Sequence, residues 1–233
     1  PCADNWQGIN CTRSESSGQQ HVTTVHLAVH NLVGSIPESF SDLTSLQILS
    51  MPYNEISGTF PESVCQMSQL WYIDVDTNKL TGTIPDCIGG LMDLQFLFFY
   101  KNNMIGTIPS SIGNLAALLH LGLNGNHFTS SVPQSFGQLT ALQYLDLDTN
   151  ELTGSIHEGL GNLSHLLGLN MAINYLTGSI PTTLGNLPDL LGLYLNNNTL
   201  TGSIPFEIDN LTRLQYIVID TNYLTGTIPE CVG

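Results

Sequence analysis

The sequence predicts an α/β solenoid, a right-handed superhelix with a concave parallel β-sheet and a convex side of 3-10 and irregular segments. Three observations predict this fold class: an unbroken 24-residue period, an apolar alternation of period two in each unit, and an Ile-Pro step that follows in nearly every unit. Units of this kind bury their apolar faces only by stacking, so neighbouring units share one core.

Asparagine marks the period, with His30 in the corresponding place of a first copy. The asparagines are Asn54, Asn78, Asn102, Asn126, Asn150, Asn174, Asn198 and Asn222. The pattern around each is L-x-x-L-x-L-x-x-N-x-L-x-G-x-I-P. We expect residues 22–233 to be nine 24-residue repeats, the last one truncated and without a C-terminal cap.

The residues before each Asn predict a short strand with one buried face. Leu145 and Leu147 flank Asp146, for example, and such alternation is typical of a half-buried strand. The segment that returns after each Ile-Pro carries further aliphatic residues, such as Ile112 and Leu115. We expect this return segment to cover the apolar side of the sheet.

The Asn and Gly columns predict structural roles. A side-chain amide in the turn can bond backbone groups of its own coil and of the neighbouring coil, so we predict no binding role for the Asn column. The Gly four residues later favours a backbone conformation that side chains resist, and the Pro fixes φ. Ser130 replaces this Gly in one copy and His157 replaces the Pro in another, and we expect the turn to deviate locally at both.

The segment Leu-Thr-Gly-Ser/Thr-Ile-Pro stands nearly intact at residues 80–85, 176–181, 200–205 and 224–229. With its 24-residue unit, the chain resembles the plant-specific class of leucine-rich repeats over essentially its whole length. The resemblance implies the ectodomain of a receptor-like kinase or receptor-like protein, or a secreted inhibitor of cell-wall-degrading polygalacturonases. The chain is therefore interpreted as a piece of a longer extracellular protein.

The five cysteines predict two disulfides. The resemblance implies that residues 1–21 are the remnant of a disulfide-bonded N-terminal cap in which Cys2 pairs with Cys11, because the opening looks like the end of that family's amino-terminal cap. Cys65 and Cys87 lie in return segments about one repeat apart, and we predict a second disulfide between them, the alternative being two buried free thiols. Cys231 is left to pair beyond the sequence or to stay free.

Composition and triplet motifs indicate an extracellular protein without nucleic-acid partners. Four Lys and Arg stand against nineteen Asp and Glu, a net charge of -15 that disfavours phosphate binding. The same charge would raise the encounter rate with a basic partner, the alternative being that it serves solubility alone. No apolar run is long enough to span a membrane, so we predict no membrane contact in this segment. Four Asn-X-Ser/Thr triplets predict glycosylation. Their asparagines are Asn10, Asn162, Asn197 and Asn210.

Residues six, four and two positions before each Asn are predicted to face the concave side. Several are aromatic or acidic, types that are common at interfaces, and we predict that they bind the partner. They are Tyr72, Asp74, Asp76, Phe96, Phe98, Tyr100, His120, Tyr144, Asp146, Asp148, Tyr194 and Tyr216. A compatible alternative is that the aromatic rings stack across strands as a stabilising ladder. The paired carboxylates could receive an Arg or Lys of a ligand or a calcium ion.

The function predicted is extracellular recognition of a protein or peptide through the concave face, by a monomer or a ligand-induced heterodimer. The alternative is a secreted enzyme inhibitor. A third interpretation is ice binding by columns of Thr and Ser, such as Thr81 with Thr83 and Thr153 with Ser155. The sequence has no phosphate loop, His-Glu-x-x-His or Gly-x-Ser-x-Gly motif, so we predict neither an enzyme nor a cofactor or metal site.

Overall fold

The structure is a computed structural model that describes residues 7–13 and 18–229, and it is a solenoid of stacked coils. Its strands are, in chain order, β1 (Ile9–Arg13), β2 (Gln20–His26), β3 (Val33–Gly34), β4 (Ile48–Ser50), β5 (Glu55–Thr59), β6 (Tyr72–Asp74), β7 (Lys79–Gly82), β8 (Phe96–Phe98), β9 (Asn103–Thr107), β10 (His120–Gly122), β11 (His127–Ser130), β12 (Tyr144–Asp146), β13 (Glu151–Leu152), β14 (Gly168–Asn170), β15 (Gly192–Tyr194), β16 (Thr201–Gly202), β17 (Tyr216–Val218) and β18 (Tyr223–Leu224). Two kinds of sheet run along the stack.

The concave sheet has ten strands in the order β1-β2-β4-β6-β8-β10-β12-β14-β15-β17. β1 pairs antiparallel with β2, and the later pairs are parallel, with Leu121 opposite Leu145 as an example. Each strand therefore sits one full repeat from its neighbour, and equivalent side chains form columns across the sheet. The predicted concave sheet is confirmed.

A second, flank sheet follows the Asn turn of each coil. Six strands pair in the order β13-β11-β9-β7-β5-β3, and β16 pairs with β18. A parallel bridge between Ser155 and Thr177 lies between these two groups. The register is shifted by two residues relative to the repeat, so that Thr59 lies opposite Thr81.

The convex side consists of short helices that begin after each Ile-Pro step. Among the described residues all helices are of the 3-10 type: η1 (Glu38–Asp42), η2 (Glu62–Gln66), η3 (Asp86–Gly90), η4 (Ser110–Asn114), η5 (Gln134–Gln138), η6 (Glu158–Asn162), η7 (Thr182–Asn186) and η8 (Phe206–Asn210). The helices pack so closely that a Cβ at Gly89 would collide with the backbone carbonyl of Ser111 in the next coil. None of the helices in the described part of the chain is long and apolar enough to cross a membrane.

The core lies between the concave sheet and the helices and runs through successive coils without interruption. The strand leucines are fully buried, as are the third residues of most of the helices, such as Ile112 of η4. Phe60 and Phe99 pack edge to face in adjoining coils, with ring centroids 4.8 Å apart. The predicted α/β solenoid with a 3-10 convex side is thus confirmed.

The Asn column bonds the coils to one another. The Oδ1 atom of Asn126 accepts the backbone N–H of Met104 at 3.0 Å. Its Nδ2 atom donates to the carbonyl oxygens of Phe99 at 2.9 Å and Leu123 at 3.1 Å. The same bonds recur from Asn54 to Asn222, so each asparagine satisfies buried backbone groups of the preceding coil as well as its own.

The two departures from the repeat pattern leave the backbone path unchanged. Ser130 adopts φ 66°, close to the φ of 75° at Gly154 in the next copy. His157 precedes its helix with φ -88° and ψ 150°, an extended conformation like that of Pro181. The expected local deviation is therefore wrong, because the coils packed on either side determine the turn more strongly than one side chain does.

A disulfide joins Cys65 of η2 to Cys87 of η3, with the two Cα atoms 5.7 Å apart. It links neighbouring helices on the convex side. Cys11 is also disulfide-bonded. Cys2, which the resemblance assigns as its partner, and Cys231 lie outside the described residues.

Candidate ligand-binding face

The concave face brings most of the predicted residues together. Tyr72, Phe96, His120 and Tyr144 occupy the same place on the adjacent strands β6, β8, β10 and β12. Tyr194 and Tyr216 lie on β15 and β17, and β14 separates them from Tyr144. The face therefore has two regions, which differ in how their aromatic rings are packed.

The first region is an aromatic ladder formed by Tyr72, Phe96, Phe98, Tyr100 and His120. Ring centroids are 5.6 Å apart for Tyr72 and Phe96, 5.7 Å for Phe98 and Tyr100, and 4.7 Å for Phe98 and His120. Because its ring is surrounded, Phe98 is only 8% exposed. The expectation that these aromatics are all exposed is wrong for Phe98, whereas the alternative of stacking across strands describes the geometry.

A carboxylate pair lies beside the ladder. Asp74 is 7% exposed and Asp76 only 1%, so the pair is buried rather than open to solvent as its predicted role requires. The Tyr72 hydroxyl donates to Asp74 at 3.3 Å, and the Thr77 hydroxyl donates to Asp76 at 2.9 Å. Burial, with Asp74 adjacent, raises the pKa of Asp76 to about 7, against an opposing effect of Lys101.

The tyrosine hydroxyls next to this pair are hydrogen-bond donors at neutral pH. Burial, followed by the nearby charge of Asp74, raises the pKa of Tyr72 to about 12. Burial, followed by the charge of Asp76, also raises the pKa of Tyr100. Both phenols therefore stay protonated, and together with the rings they form an amphipathic surface.

The two carboxylates of the second pair, Asp146 and Asp148, lie in different environments. Asp146 lies 2.7 Å from Nε2 of His120. Asp148 accepts from the Asn170 amide at 2.9 Å and from the Thr149 hydroxyl at 3.1 Å, and burial raises its pKa. Asp148 is thus held by neighbouring side chains, whereas Asp146 lies at the edge of a cavity.

This cavity, named the glycine cavity after Gly168 and Gly192, is the second region of the face. Neither glycine is among the predicted site residues. Gly168 and Gly192 lie opposite each other on β14 and β15. The cavity has a volume of about 210 Å³. Its lining consists of Tyr144, Asp146, Leu167, Gly168, Leu169, Asn170, Leu191, Gly192, Tyr194 and Tyr216. The signal in the sequence is Gly in two consecutive copies at a place where five others carry an aromatic ring or His.

The flank sheet carries the predicted hydroxyl columns. Thr81 and Thr83 are exposed, as are Thr153 and Ser155. The Thr81 hydroxyl donates to the carbonyl of Gly58 at 3.3 Å, and equivalent bonds recur along the column. The hydroxyls of the column that form these bonds are therefore oriented by the preceding coil, whereas Ile105 interrupts the column.

The four sequon asparagines are all exposed: Asn10, Asn162, Asn197 and Asn210. Asn162 and Asn210 end the helices η6 and η8 on the convex side, where a glycan would leave the concave sheet accessible. Asn10 lies on β1, and Asn197 precedes the buried Asn198 in its turn.

Two leucine-rich-repeat family models match the chain, one at residues 20–80 and 101–152 and the other at residues 189–211. No curated protein matches the sequence. The plant peptide hormone receptor RGFR1, solved in complex with RGF2, is 35% identical, with a TM-score of 0.87 over 88% of this chain and 33% of that chain. The Arabidopsis receptor kinase HAESA, solved with the peptide hormone IDA and the co-receptor SERK1, is 33% identical, with a TM-score of 0.85 over 88% of this chain and 34% of that one.

A plant ice-binding protein is also similar, at 25% identity and a TM-score of 0.76, over 97% of this chain and 79% of that chain. The chain thus spans about a third of the length of the two receptors but most of the ice-binding protein. The periodic sequence, the stacked coils and these matches agree on one family. The chain belongs to the leucine-rich-repeat family, with the features of its plant class.

Proposed function

We propose that the concave face recognises a peptide or protein ligand outside the cell, as part of a receptor-like protein. The observation that carries the proposal is the concentration of aromatic and acidic side chains on six strands of this sheet. Partly exposed Tyr72, Tyr144 and Tyr194 present rings and hydroxyls together, the combination typical of interface hot spots. The two receptors above, each solved with a peptide hormone, support it.

The charge of the chain supports a basic ligand. Its net charge is -15, and Asp146 and Asp220 add carboxylates to the concave side. Such a field raises the encounter rate with a cationic peptide and orients it before contact. Pairing of the monomer with a second protein when the ligand is bound is part of the proposal, and the HAESA complex with a co-receptor supports it.

An extracellular location follows from the same proposal. The disulfide between Cys65 and Cys87 requires an oxidising compartment to form and persist. Exposed sequons at Asn162 and Asn210 are compatible with glycans on the convex side. Mass spectrometry of the protein from its native source tests both features. Unmodified sequons together with reduced Cys65 and Cys87 would contradict the location.

Selection from a displayed library of random 12-residue peptides tests the recognition surface. We expect the selected peptides to lose most of their affinity for Tyr144→Ala and to keep it for Tyr175→Ala, because Tyr175 is exposed on the side of the coil next to the flank sheet. Biolayer interferometry measures both. Peptides that bind the two variants equally, or no selectable peptide at all, would contradict the proposal.

Ice binding is a second candidate, favoured by the flank sheet and by the similar plant ice-binding protein. Adjacent strands lie about 4.8 Å apart, and exposed hydroxyls follow one another at successive coils from Thr153 to Thr225. The surface could therefore order water into a regular layer. We expect thermal hysteresis that Thr153→Tyr with Thr177→Tyr removes and Thr140→Tyr leaves intact. Thr153 directly follows β13 and Thr177 pairs with Ser155, whereas Thr140 lies just after η5 on the convex side. The absence of hysteresis in the unmodified protein would end this candidate.

A further inference from the structure

The glycine cavity points to one chemical group on the ligand. We propose that it holds the side chain of a single arginine. The inference rests on the proposed recognition by the concave face and adds to it the identity of the anchoring residue. The cavity provides tyrosine rings and a carboxylate at its edge, and a guanidinium group is complementary to both.

The two glycines of the floor lie beneath tyrosine rings. A Cβ at Gly192 would come within 2.7 Å of the Tyr194 ring, and one at Gly168 within 3.0 Å of the Tyr144 ring. The N–H of Gly192 donates to the carbonyl of Leu167 at 3.2 Å, so this amide is already satisfied within the sheet. Because Gly168 and Gly192 lack a Cβ, the rings of Tyr144 and Tyr194 lie directly over the backbone, and a ligand meets these rings rather than bare backbone.

The walls are tyrosine rings that are partly open to solvent, although the Tyr144 ring also packs against His120, with ring centroids 5.1 Å apart. Tyr144 is 39% exposed and Tyr216 59%, in contrast to the enclosed Phe98 of the ladder. A guanidinium stacks on aromatic faces and is more weakly hydrated than an ammonium, so it loses less hydration on entering such a space. The walls thus favour arginine over lysine.

The carboxylate of Asp146, at the edge of the cavity, favours a cationic ligand group over a neutral ring. Asp146 lines the cavity and lies 2.7 Å from His120 on its other side. A neutral aromatic or proline ring placed over it would remove water from the carboxylate without offering a donor, which is unfavourable. A guanidinium would replace that water with charge-assisted hydrogen bonds. The cavity lining contains no Lys or Arg that could compete for Asp146.

Titration with single amino acids tests the inference directly. The probes are N-acetyl-arginine amide, its neutral analogue N-acetyl-citrulline amide, N-acetyl-lysine amide and N-acetyl-phenylalanine amide. The amide NMR signals of Gly168 and Gly192 report binding at the floor. We expect arginine to shift both signals and citrulline to bind about tenfold more weakly, because it has the same shape without the charge.

Variants separate the cavity from its surroundings. Asp146→Asn is expected to weaken arginine binding about fivefold or more, through loss of the charged acceptor. Tyr216→Ala should weaken it as well, whereas Tyr175→Ala, with the same 59% exposure but outside the concave face, should not. Gly192→Ala should reduce binding by filling the floor, whereas Gly90→Ala should not, because a Cβ at Gly90 meets no atom within 4 Å.

The outcomes distinguish this inference from the proposed function. Equal shifts with citrulline or phenylalanine amide, or unchanged arginine binding by Asp146→Asn, would overturn the arginine assignment. The concave face would remain the recognition surface if library peptides still depended on Tyr144. No shift of Gly168 and Gly192 with any probe would also overturn the inference. Library peptides that ignore the concave variants would instead overturn the proposed function.

Discussion

The aromatic ladder and the glycine cavity are built on the same repeat, yet one is closed and the other is open. In the ladder, Tyr72 and Phe96 lie opposite each other on adjacent strands and their rings touch. In the cavity, the equivalent places on β14 and β15 are Gly168 and Gly192, and the neighbouring tyrosines lie over backbone. Side-chain size at one place of the repeat thus decides whether rings contribute to stability or remain available to a ligand.

The largest difference between the regions is expected for truncation of a ring. Phe98→Ala should lower the free energy of unfolding by about 3 kcal/mol, because a nearly buried ring leaves a cavity that its neighbours fill incompletely. Tyr216→Ala should change it by less than about 0.5 kcal/mol, since that ring is largely in solvent. Urea denaturation measures both values. Equal losses for the two variants would abolish the distinction between a closed and an open region.

The buried carboxylate of the ladder should make stability depend on pH. The folded-state pKa of Asp76 is about 7, above its ordinary value of 3.8, so the folded state keeps a proton that the unfolded state has already released. Between pH 4 and pH 7 stability should therefore fall as pH rises, by up to about 1.4 kcal/mol per pH unit from this group.

Asp76→Asn should remove that part of the pH dependence, and Asp220→Asn serves as the control. Asp220 stands at the same place in the last copy but is exposed, so its replacement corrects for the general change in net charge. Thermal unfolding from pH 4 to pH 8 gives the comparison. If Asp76→Asn and Asp220→Asn share one pH profile, the carboxylate of Asp76 is not held in its neutral form by the ladder.

The smallest effect on stability is expected when an aromatic ring is placed in the cavity, so that this region comes to resemble the aromatic ladder. Gly168→Phe places a ring opposite Tyr144, at the position that Phe96 occupies in its own copy. The free energy of unfolding should rise by about 1 kcal/mol, from an added aromatic pair and the loss of Gly flexibility in the unfolded chain. Arginine binding should be lost in the same variant. A drop in stability would mean that the Tyr144 ring cannot move aside.

The period of asparagines and aliphatic residues is sufficient to predict the coils, because stacking is the only way for such short strands to bury their leucines. It also predicts which residues face the concave side, and the spacing of Cys65 and Cys87 predicts a disulfide that the structure contains. The paths at Ser130 and His157 could not be inferred from the residues themselves, since neighbouring coils determine them.

The sequence predicts which residues of the candidate site face the concave side, but not how deeply each side chain is buried. Alternation places Phe98 and Asp76 on the concave side, yet their burial depends on how rings from three strands pack together. The cavity was not predicted, because functional residues were expected among aromatic and charged side chains, and Gly192 has no side chain. Two consecutive glycines in a column otherwise rich in rings are a pattern that sequence analysis could seek.

The asparagine bonds reach back by a constant number of residues, from Oδ1 to an N–H 22 positions earlier and from Nδ2 to a carbonyl 27 positions earlier. Any insertion or deletion other than a whole coil breaks this match at once, whereas a complete unit can be added or lost with every bond re-formed. Evolution can therefore lengthen or shorten the concave surface in discrete steps, and can change the size of the molecule it accommodates, without redesigning the interior.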